Sequence, residues 1–177
     1  MNPWISFLVT PAVFAAADCY AVQYLTVEQA QRVLFPDAAE FEARPLVLTA
    51  AQVAAVESTT GLPVRSPRHN VWAARHGNHL HGWFVVDEVI GKHELITYAV
   101  ALSQGGRVLG VEVLEYRENY GYEIRNPAWR AQFTGKTRDD VLSLDSDIRN
   151  ITGATLSCRH VTEGIRRLLA VHALAMR

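Results

Sequence analysis

The hydrophobic and polar positions predict two short helices in the first part of the chain. The arrangement Thr-x-x-Gln occurs at residues 26–29 and again at residues 49–52, and each time apolar residues follow at helical spacing. A Thr with Gln three residues later is typical of a capping box at a helix start. Pro36 ends the first helix, and Gly61 ends the second.

From Trp83 the pattern changes to the period of two that is typical of β-strands. Apolar side chains alternate over residues 96–102, a turn follows at 104–106, and the alternation returns over 109–113. This pattern predicts a hairpin, and residues 83–90 supply a further strand. We therefore expect a small antiparallel sheet of at least three strands with one face that needs cover.

A long amphipathic helix is predicted over residues 157–175. Its apolar stripe ends in a histidine, and charged side chains occupy the other side. Strands followed by a covering helix predict an α+β fold. The stripe is formed by Val161, Ile165, Leu168, Leu169 and His172.

Three segments are predicted along the chain. Residues 1–17 are apolar, carry no charge and end in three alanines, which is the pattern of an export segment with a cleavage site, or of a buried N-terminal element. Residues 18–68 form a helical extension that ends in a loop rich in Ser, Thr, Gly and Pro over 57–70. Residues 69–177 form the main domain.

Charge and metal-ligating residues narrow the possible functions. Lys and Arg number 17 against 18 Asp and Glu, a net charge of −1, so there is no basic excess for nucleic-acid binding. The two cysteines, Cys19 and Cys158, match no zinc or redox spacing. Four histidines, His69, His76, His79 and His81, lie together without a ready set of Cys, Asp or Glu ligands, so a solvated loop and strand edge is favoured over a metal site.

Residues 152–157, Thr-Gly-Ala-Thr-Leu-Ser, carry the candidate chemistry. They lie where the last helix begins, so unpaired N–H groups and the positive end of the helix dipole favour an anion such as phosphate. Gly153 allows close approach of a ligand, and Thr155 and Ser157 supply hydroxyls. The alternative is an ordinary helix cap, which also favours Ser and Thr.

Three stretches in order resemble the FMN-binding domain of a flavoprotein family. That family includes the periplasmic flavin subunits of sodium-pumping quinone reductases and related electron-transport complexes. Residues 109–122 look like its strand and Glu-Thr-Pro-Gly type loop, and residues 129–136 are similar to its Phe-x-Gly-Lys element. Residues 151–157 match its Ser/Thr-Gly-Ala-Thr attachment motif.

The resemblance implies that a flavin transferase esterifies Thr155 with the phosphate of FMN, and that Thr152, Gly153, Ala154 and Ser157 surround the phosphate. In that family an Asp usually stands three residues before the first Ser or Thr of the motif, whereas this chain has Arg149 there and its nearest acids are at 145 and 147. Covalent attachment and non-covalent FMN binding therefore stay open.

The resemblance also implies that the loop of residues 118–121 lies nearest the isoalloxazine ring. This loop consists of Glu118, Asn119, Tyr120 and Gly121. Tyr122 and Trp129 are weaker candidates for ring contacts, with ordinary packing as the alternative. Lys136 is a candidate partner for the phosphate or for an acidic group.

The function that the resemblance implies is electron transfer between redox partners at the outer face of a bacterial inner membrane. The expected location is the periplasm, with possible association with the membrane. A flavin-dependent reductase of a small acceptor and a flavin-free accessory domain of a respiratory complex are the two alternatives. The first needs an open cleft and a proton donor, and the second needs no cofactor.

Overall fold

A seven-stranded antiparallel sheet organises the part of the chain that the computed structural model describes, residues 22–118 and 120–176. The strand order is β1-β7-β6-β5-β4-β2, and β3 pairs with another part of β4. The export segment predicted for residues 1–17 lies outside the described residues. The strands are β1 (Val22–Gln23), β2 (Glu40–Ala43), β3 (Leu46–Val47), β4 (Arg68–His76), β5 (His79–Ile90), β6 (Leu95–Ser103) and β7 (Val108–Tyr116).

The two helices predicted before residue 61 are present as α1 (Val27–Leu34) and α2 (Ala50–Thr60). Each begins with a capping box, in which the Thr side chain accepts a hydrogen bond from the Gln backbone and the Gln side chain accepts one from the Thr backbone. Gly61 ends α2 in the left-handed conformation, with φ of 66°. Between the sheet and the last helix lies α3 (Pro127–Arg130).

The predicted hairpin is confirmed as β6 and β7, and the strand predicted over 83–90 is the last two thirds of β5. The loop predicted over residues 57–70 is wrong at both ends, because α2 continues to Thr60 and β4 begins at Arg68. The sequence of β4 begins with three polar residues and places Ala73 beside Ala74, so it lacks the alternation that marks a strand.

The sheet is covered on both faces rather than on one. On one face α4 (Thr155–Ala175) packs over the large side chains of β6, such as Tyr98 and Leu102. On the other face α1 packs over small residues of the same strand, Ala99 and Ala101. The alternation along β6 is therefore one of large and small apolar residues, because both faces are buried.

The apolar stripe predicted for the last helix is confirmed. Ile165, Leu168 and Leu169 are at most 1% exposed, and burial of each such side chain stabilises the fold by roughly 1.5 to 3 kcal/mol. The helix begins at Thr155, two residues before the predicted start. In the first turn of α4, Ser157 contacts Tyr116 at the end of β7.

Candidate functional site at the start of the C-terminal helix

Thr155 is the first residue of α4, and the helix start around it is open. The residue before it, Ala154, makes no side-chain capping bond, whereas α1 and α2 are each capped by a threonine. The first N–H groups of an α-helix have no partner within the helix. The start of α4 therefore offers backbone donors and a positive helix end to an anion.

Gly153 gives this helix start a backbone that only glycine adopts easily. Its φ is 89°, and a Cβ added there would meet nothing within 4 Å among the described atoms. Thr152 and Gly153 are both exposed. The space beside the backbone of the motif is therefore free for a ligand, and the residues present fit a bound phosphate.

Thr155 is half-buried, and its hydroxyl has one hydrogen-bond partner in the described structure. The Asn150 side chain donates from Nδ2 to Thr155 Oγ1 over 3.1 Å. Arg149, in the place where the family has Asp, is exposed. Asn150 was not among the residues singled out from the sequence. The one sequence feature that could have identified it is its position next to Arg149.

The Ser157 hydroxyl turns away from the open helix start. Ser157 is buried, and its Oγ lies 2.9 Å from Tyr116 Oη at the end of β7. Tyr116 in turn donates to the Tyr120 carbonyl over 2.5 Å. Burial raises the pKa of Tyr116 to about 12, although the hydrogen bond with Ser157 opposes this shift. Ser157 thus joins α4 to the loop that follows β7.

That loop packs directly on the first turn of α4 at Gly121. A Cβ on Gly121 would lie 2.6 Å from Tyr116 Oη, 3.0 Å from Ser157 Oγ and 3.4 Å from Ala154 Cα. The loop and the Thr-Gly-Ala-Thr motif, predicted separately, are therefore neighbours in the fold. Tyr120 and Tyr122 are 82% and 56% exposed, and Asn119 lies outside the described residues.

The Glu118 side chain reaches the turn between β5 and β6. It accepts hydrogen bonds from the backbone N–H of His93 and, over 2.9 Å, of Glu94. Burial alone would raise the pKa of this carboxyl, but the backbone donors hold it below its ordinary value. His160 of α4 uses Nδ1 to contact the Ile90 and Gly91 carbonyls, so the same turn is also joined to the helix.

Trp129 and Lys136 are occupied by contacts within the chain. Trp129 is 4% exposed, and its Nε1 donates to the Arg149 carbonyl over 2.8 Å, which favours the packing interpretation. Lys136 Nζ lies 2.7 Å from Asp147 Oδ2 and 3.5 Å from Asp140 Oδ1. Its acidic partners are therefore carboxylates of this chain.

Cys158 and His172 are packed residues, and His172 belongs to the predicted apolar stripe. Cys158 is a buried free thiol, and burial raises its pKa to about 11. For His172 burial has the opposite effect and lowers the pKa, because it disfavours the charged imidazolium, while a hydrogen bond with the Gln104 backbone opposes this shift. Both groups are thus held in their neutral forms at neutral pH.

The clustered histidines lie on β4 and β5. The prediction placed them on a solvated loop and strand edge, but ring nitrogens of His69 and His81 are buried. Both ring nitrogens of His69, and Nε2 of His81, are buried without a hydrogen-bond partner among the described residues. The rings of His79 and His81 are 4.8 Å apart, edge to face. Within the described part of the chain, no group of three or more His, Cys, Asp or Glu could hold a metal ion.

Comparison with known proteins shows which family and which proteins this chain is similar to. Residues 91–170 match the family model of the FMN-binding domain. One subunit of the Na⁺-translocating ferredoxin:NAD⁺ oxidoreductase complex of Acetobacterium woodii is 24% identical over 156 residues, which cover 81% of this chain and 72% of that protein. The crystal structure of Shewanella oneidensis NqrC shares the fold, with a TM-score of 0.50 and 16% identity over 76% of this chain and 80% of that one.

The matched region contains the start of α4 and the loop that packs on it. No helix within residues 22–118 and 120–176 combines the length and the apolar character that crossing a membrane requires.

Proposed function

Because residues 91–170 match the family model of the FMN-binding domain, we propose that this chain is an electron carrier whose single FMN is esterified to Thr155. The observation that carries the proposal is the position of Thr155, a partly exposed hydroxyl on the first residue of an uncapped 21-residue helix. The phosphate would lie at the positive end of that helix, next to free backbone donors.

Gly153 and the residues around it fit this phosphate. The backbone at Gly153 leaves open space where another residue would carry a side chain, so a phosphate oxygen can approach the N–H groups. Thr152, Gly153 and Ala154 supply backbone to this cradle, whereas the Ser157 hydroxyl faces Tyr116 and contributes by holding the helix start in place.

The ring of the flavin would lie over the exposed apolar side chains beside the motif. Tyr120, Tyr122 and Leu156 are 82%, 56% and 39% exposed, and the two tyrosines flank Gly121, which packs against α4. Aromatic and apolar surfaces of this kind bind the face of a flat ring. A ring held on the surface is accessible to another protein, which favours an electron carrier.

FMN, when bound, supplies one- and two-electron redox chemistry, and the protein contributes position and electrostatics. The Acetobacterium relative is by name a subunit of an ion-translocating oxidoreductase complex, so we propose membrane or periplasmic redox proteins as the partners. Further parts of the proposal are a flavin transferase that makes the ester, and export to the outer face of the membrane directed by residues 1–17.

Co-expression with a flavin transferase in an exporting host tests the proposal. The intact mass of the purified protein should increase by one FMN moiety, and the denatured band should fluoresce under ultraviolet light. Flavin that is released on denaturation would contradict the ester, and protein that never takes up flavin would indicate the accessory domain. Steady turnover of a soluble acceptor without a protein partner would indicate a reductase instead of a carrier.

A further inference from the structure

We propose that Asn150 is the positioning residue that orients the Thr155 hydroxyl for attachment of the flavin, in place of the Asp that the family has at the position of Arg149. The inference rests on the proposed function, since it takes Thr155 as the attachment residue. It concerns the side-chain amide of Asn150, which makes the one side-chain hydrogen bond to Thr155 Oγ1 within the described structure.

Two hydrogen bonds fix the orientation of the Asn150 amide. Its Oδ1 accepts from the Ile151 backbone N–H over 2.8 Å, and its Nδ2 donates to Thr155 Oγ1 over 3.1 Å. A backbone N–H can only donate, so the amide oxygen must face it. The NH₂ group is therefore directed at Thr155, because an exchange with the oxygen would place two donors face to face at the Ile151 N–H.

The backbone just before Asn150 is anchored as well. The Arg149 N–H donates to Gln132 Oε1, and the Arg149 carbonyl accepts from Trp129 Nε1, each over 2.8 Å. Trp129 is 4% exposed, so this anchor belongs to the core. The Arg149 backbone thus holds its neighbour in place, while the Asn150 side chain contacts the reacting hydroxyl.

The direction of the hydrogen bond suits the chemistry of ester formation. Because Asn150 donates, it occupies one lone pair of Thr155 Oγ1 and leaves the hydroxyl hydrogen free to point at a base. In the reaction Oγ1 bonds to the phosphorus of FMN while the phosphoanhydride bond of a flavin dinucleotide breaks. The nucleoside monophosphate leaves with the electron pair of that bond, and the hydroxyl proton passes to a base of the transferase or to water.

The neutral amide also fits the product of this reaction. A phosphodiester carries a negative charge, which an amide N–H beside it stabilises and a carboxylate would oppose. Asn150 therefore remains a favourable neighbour of Thr155 before and after attachment. A carboxylate at the same place would keep the contact with the Ile151 N–H but would lose the donor.

Asn150→Asp is the most informative variant, because it changes the donor and keeps the shape. The full chain should be incubated with flavin adenine dinucleotide and a flavin transferase, and the initial rate of covalent labelling measured against acceptor concentration. We expect kcat to fall about 10-fold and KM for the acceptor chain to change less than about 2-fold, since the lost bond acts on the reacting oxygen. The unfolding midpoint should remain unchanged.

Asn126→Asp provides the matched control. Asn126 caps α3 through its Oδ1, which accepts from the Ala128 N–H, so Asp preserves its role and kcat should equal that of the original chain. Asn150→Ala removes both bonds and should label at least as slowly as Asn150→Asp, which keeps the test valid if one variant folds poorly.

Two results would overturn the inference in distinguishable ways. If Asn150→Asp labels at the original rate or faster, donation by the amide is not what positions Thr155, although the ester itself would stand. If the original chain acquires no flavin on Thr155, the proposed function fails, and the role of Asn150 fails with it.

Discussion

The hydroxyl groups of Tyr116 and Ser157 lie 2.9 Å apart and join the end of β7 to the first turn of α4. Tyr116 also holds the Tyr120 carbonyl, so one buried phenol links the helix that carries Thr155 to the loop proposed for the flavin ring. Any shift of this loop would therefore change the surroundings of the helix start, and single substitutions can test the contact.

Gly121→Ala should disturb the loop, and Gly135→Ala is its matched control. The two glycines have φ of 90° and 87°, so an alanine at either site costs about 1 to 2 kcal/mol in backbone strain. A Cβ at Gly135 meets no described atom within 4 Å, whereas one at Gly121 meets Tyr116 Oη at 2.6 Å. Denaturant unfolding should show a further loss of about 1 to 3 kcal/mol for Gly121→Ala. Equal losses for the two variants would show that the loop does not pack on α4 as described.

Ionisation of Tyr116 should lower the free energy of unfolding at high pH. Its pKa is about 12 in the folded chain, against an ordinary value of about 10, so the folded state holds this proton more firmly than the unfolded state. The stabilisation is complete below pH of about 10 and is lost as pH rises toward 12.

Tyr116→Phe removes this titration together with the bonds to Ser157 and Tyr120. At neutral pH the variant should lose about 1 to 2 kcal/mol of unfolding free energy. Between pH of about 10 and 12 its stability should fall less steeply than that of the original chain. Parallel stability curves over this range would contradict the buried position of the phenol.

Gly164→Ala should destabilise the packing of α4 on the sheet. A Cβ there would clash with Tyr98 Oη, and Tyr98 is fully buried and donates to Asp87 over 2.6 Å. Alanine favours helices by about 1 kcal/mol over glycine, but the overpacked contact should produce a net loss of about 1 to 3 kcal/mol in thermal or denaturant unfolding.

Gly105→Ala is the control for this variant, because among the atoms of residues 22–118 and 120–176 its Cβ would meet only Ser103 Oγ, at 4.0 Å. Its unfolding free energy should stay within about 0.5 kcal/mol of the original value. A stabilised Gly164→Ala protein would mean that α4 lies farther from Tyr98 than the structure places it.

Elements with strong local signals could be predicted from the sequence. The capping boxes at Thr26 and Thr49, the left-handed Gly61 and the apolar stripe of α4 each depend on residues close together in the chain. The short strands β1, β2 and β3 carry no such signal, because each is defined by its pairing with a distant strand. The second covered face of the sheet was also missed, since Ala99 and Ala101 do not identify what packs on them.

The candidate site could be predicted only in part, because the contact between its two segments is made by residues far apart in the chain. The motif around Thr155 and the loop ending at Gly121 could each be recognised, but their contact depends on Tyr116 and Ser157, which are 41 residues apart. Glu118 illustrates the limit. The resemblance implies its place in the loop. Its side chain accepts hydrogen bonds from the backbone N–H groups of His93 and Glu94, and only the folded chain shows these contacts.

The proposed function depends above all on the Thr155 hydroxyl as the carrier of the flavin, and Thr155→Ala is the decisive variant. Thr152→Ala is the matched control, because it removes a hydroxyl from the same motif three residues earlier. The measurement is flavin fluorescence of the denatured band after co-expression with a flavin transferase. We expect fluorescence in the original chain and in Thr152→Ala, and none in Thr155→Ala. Flavin that resists denaturation in Thr155→Ala would contradict attachment at this hydroxyl.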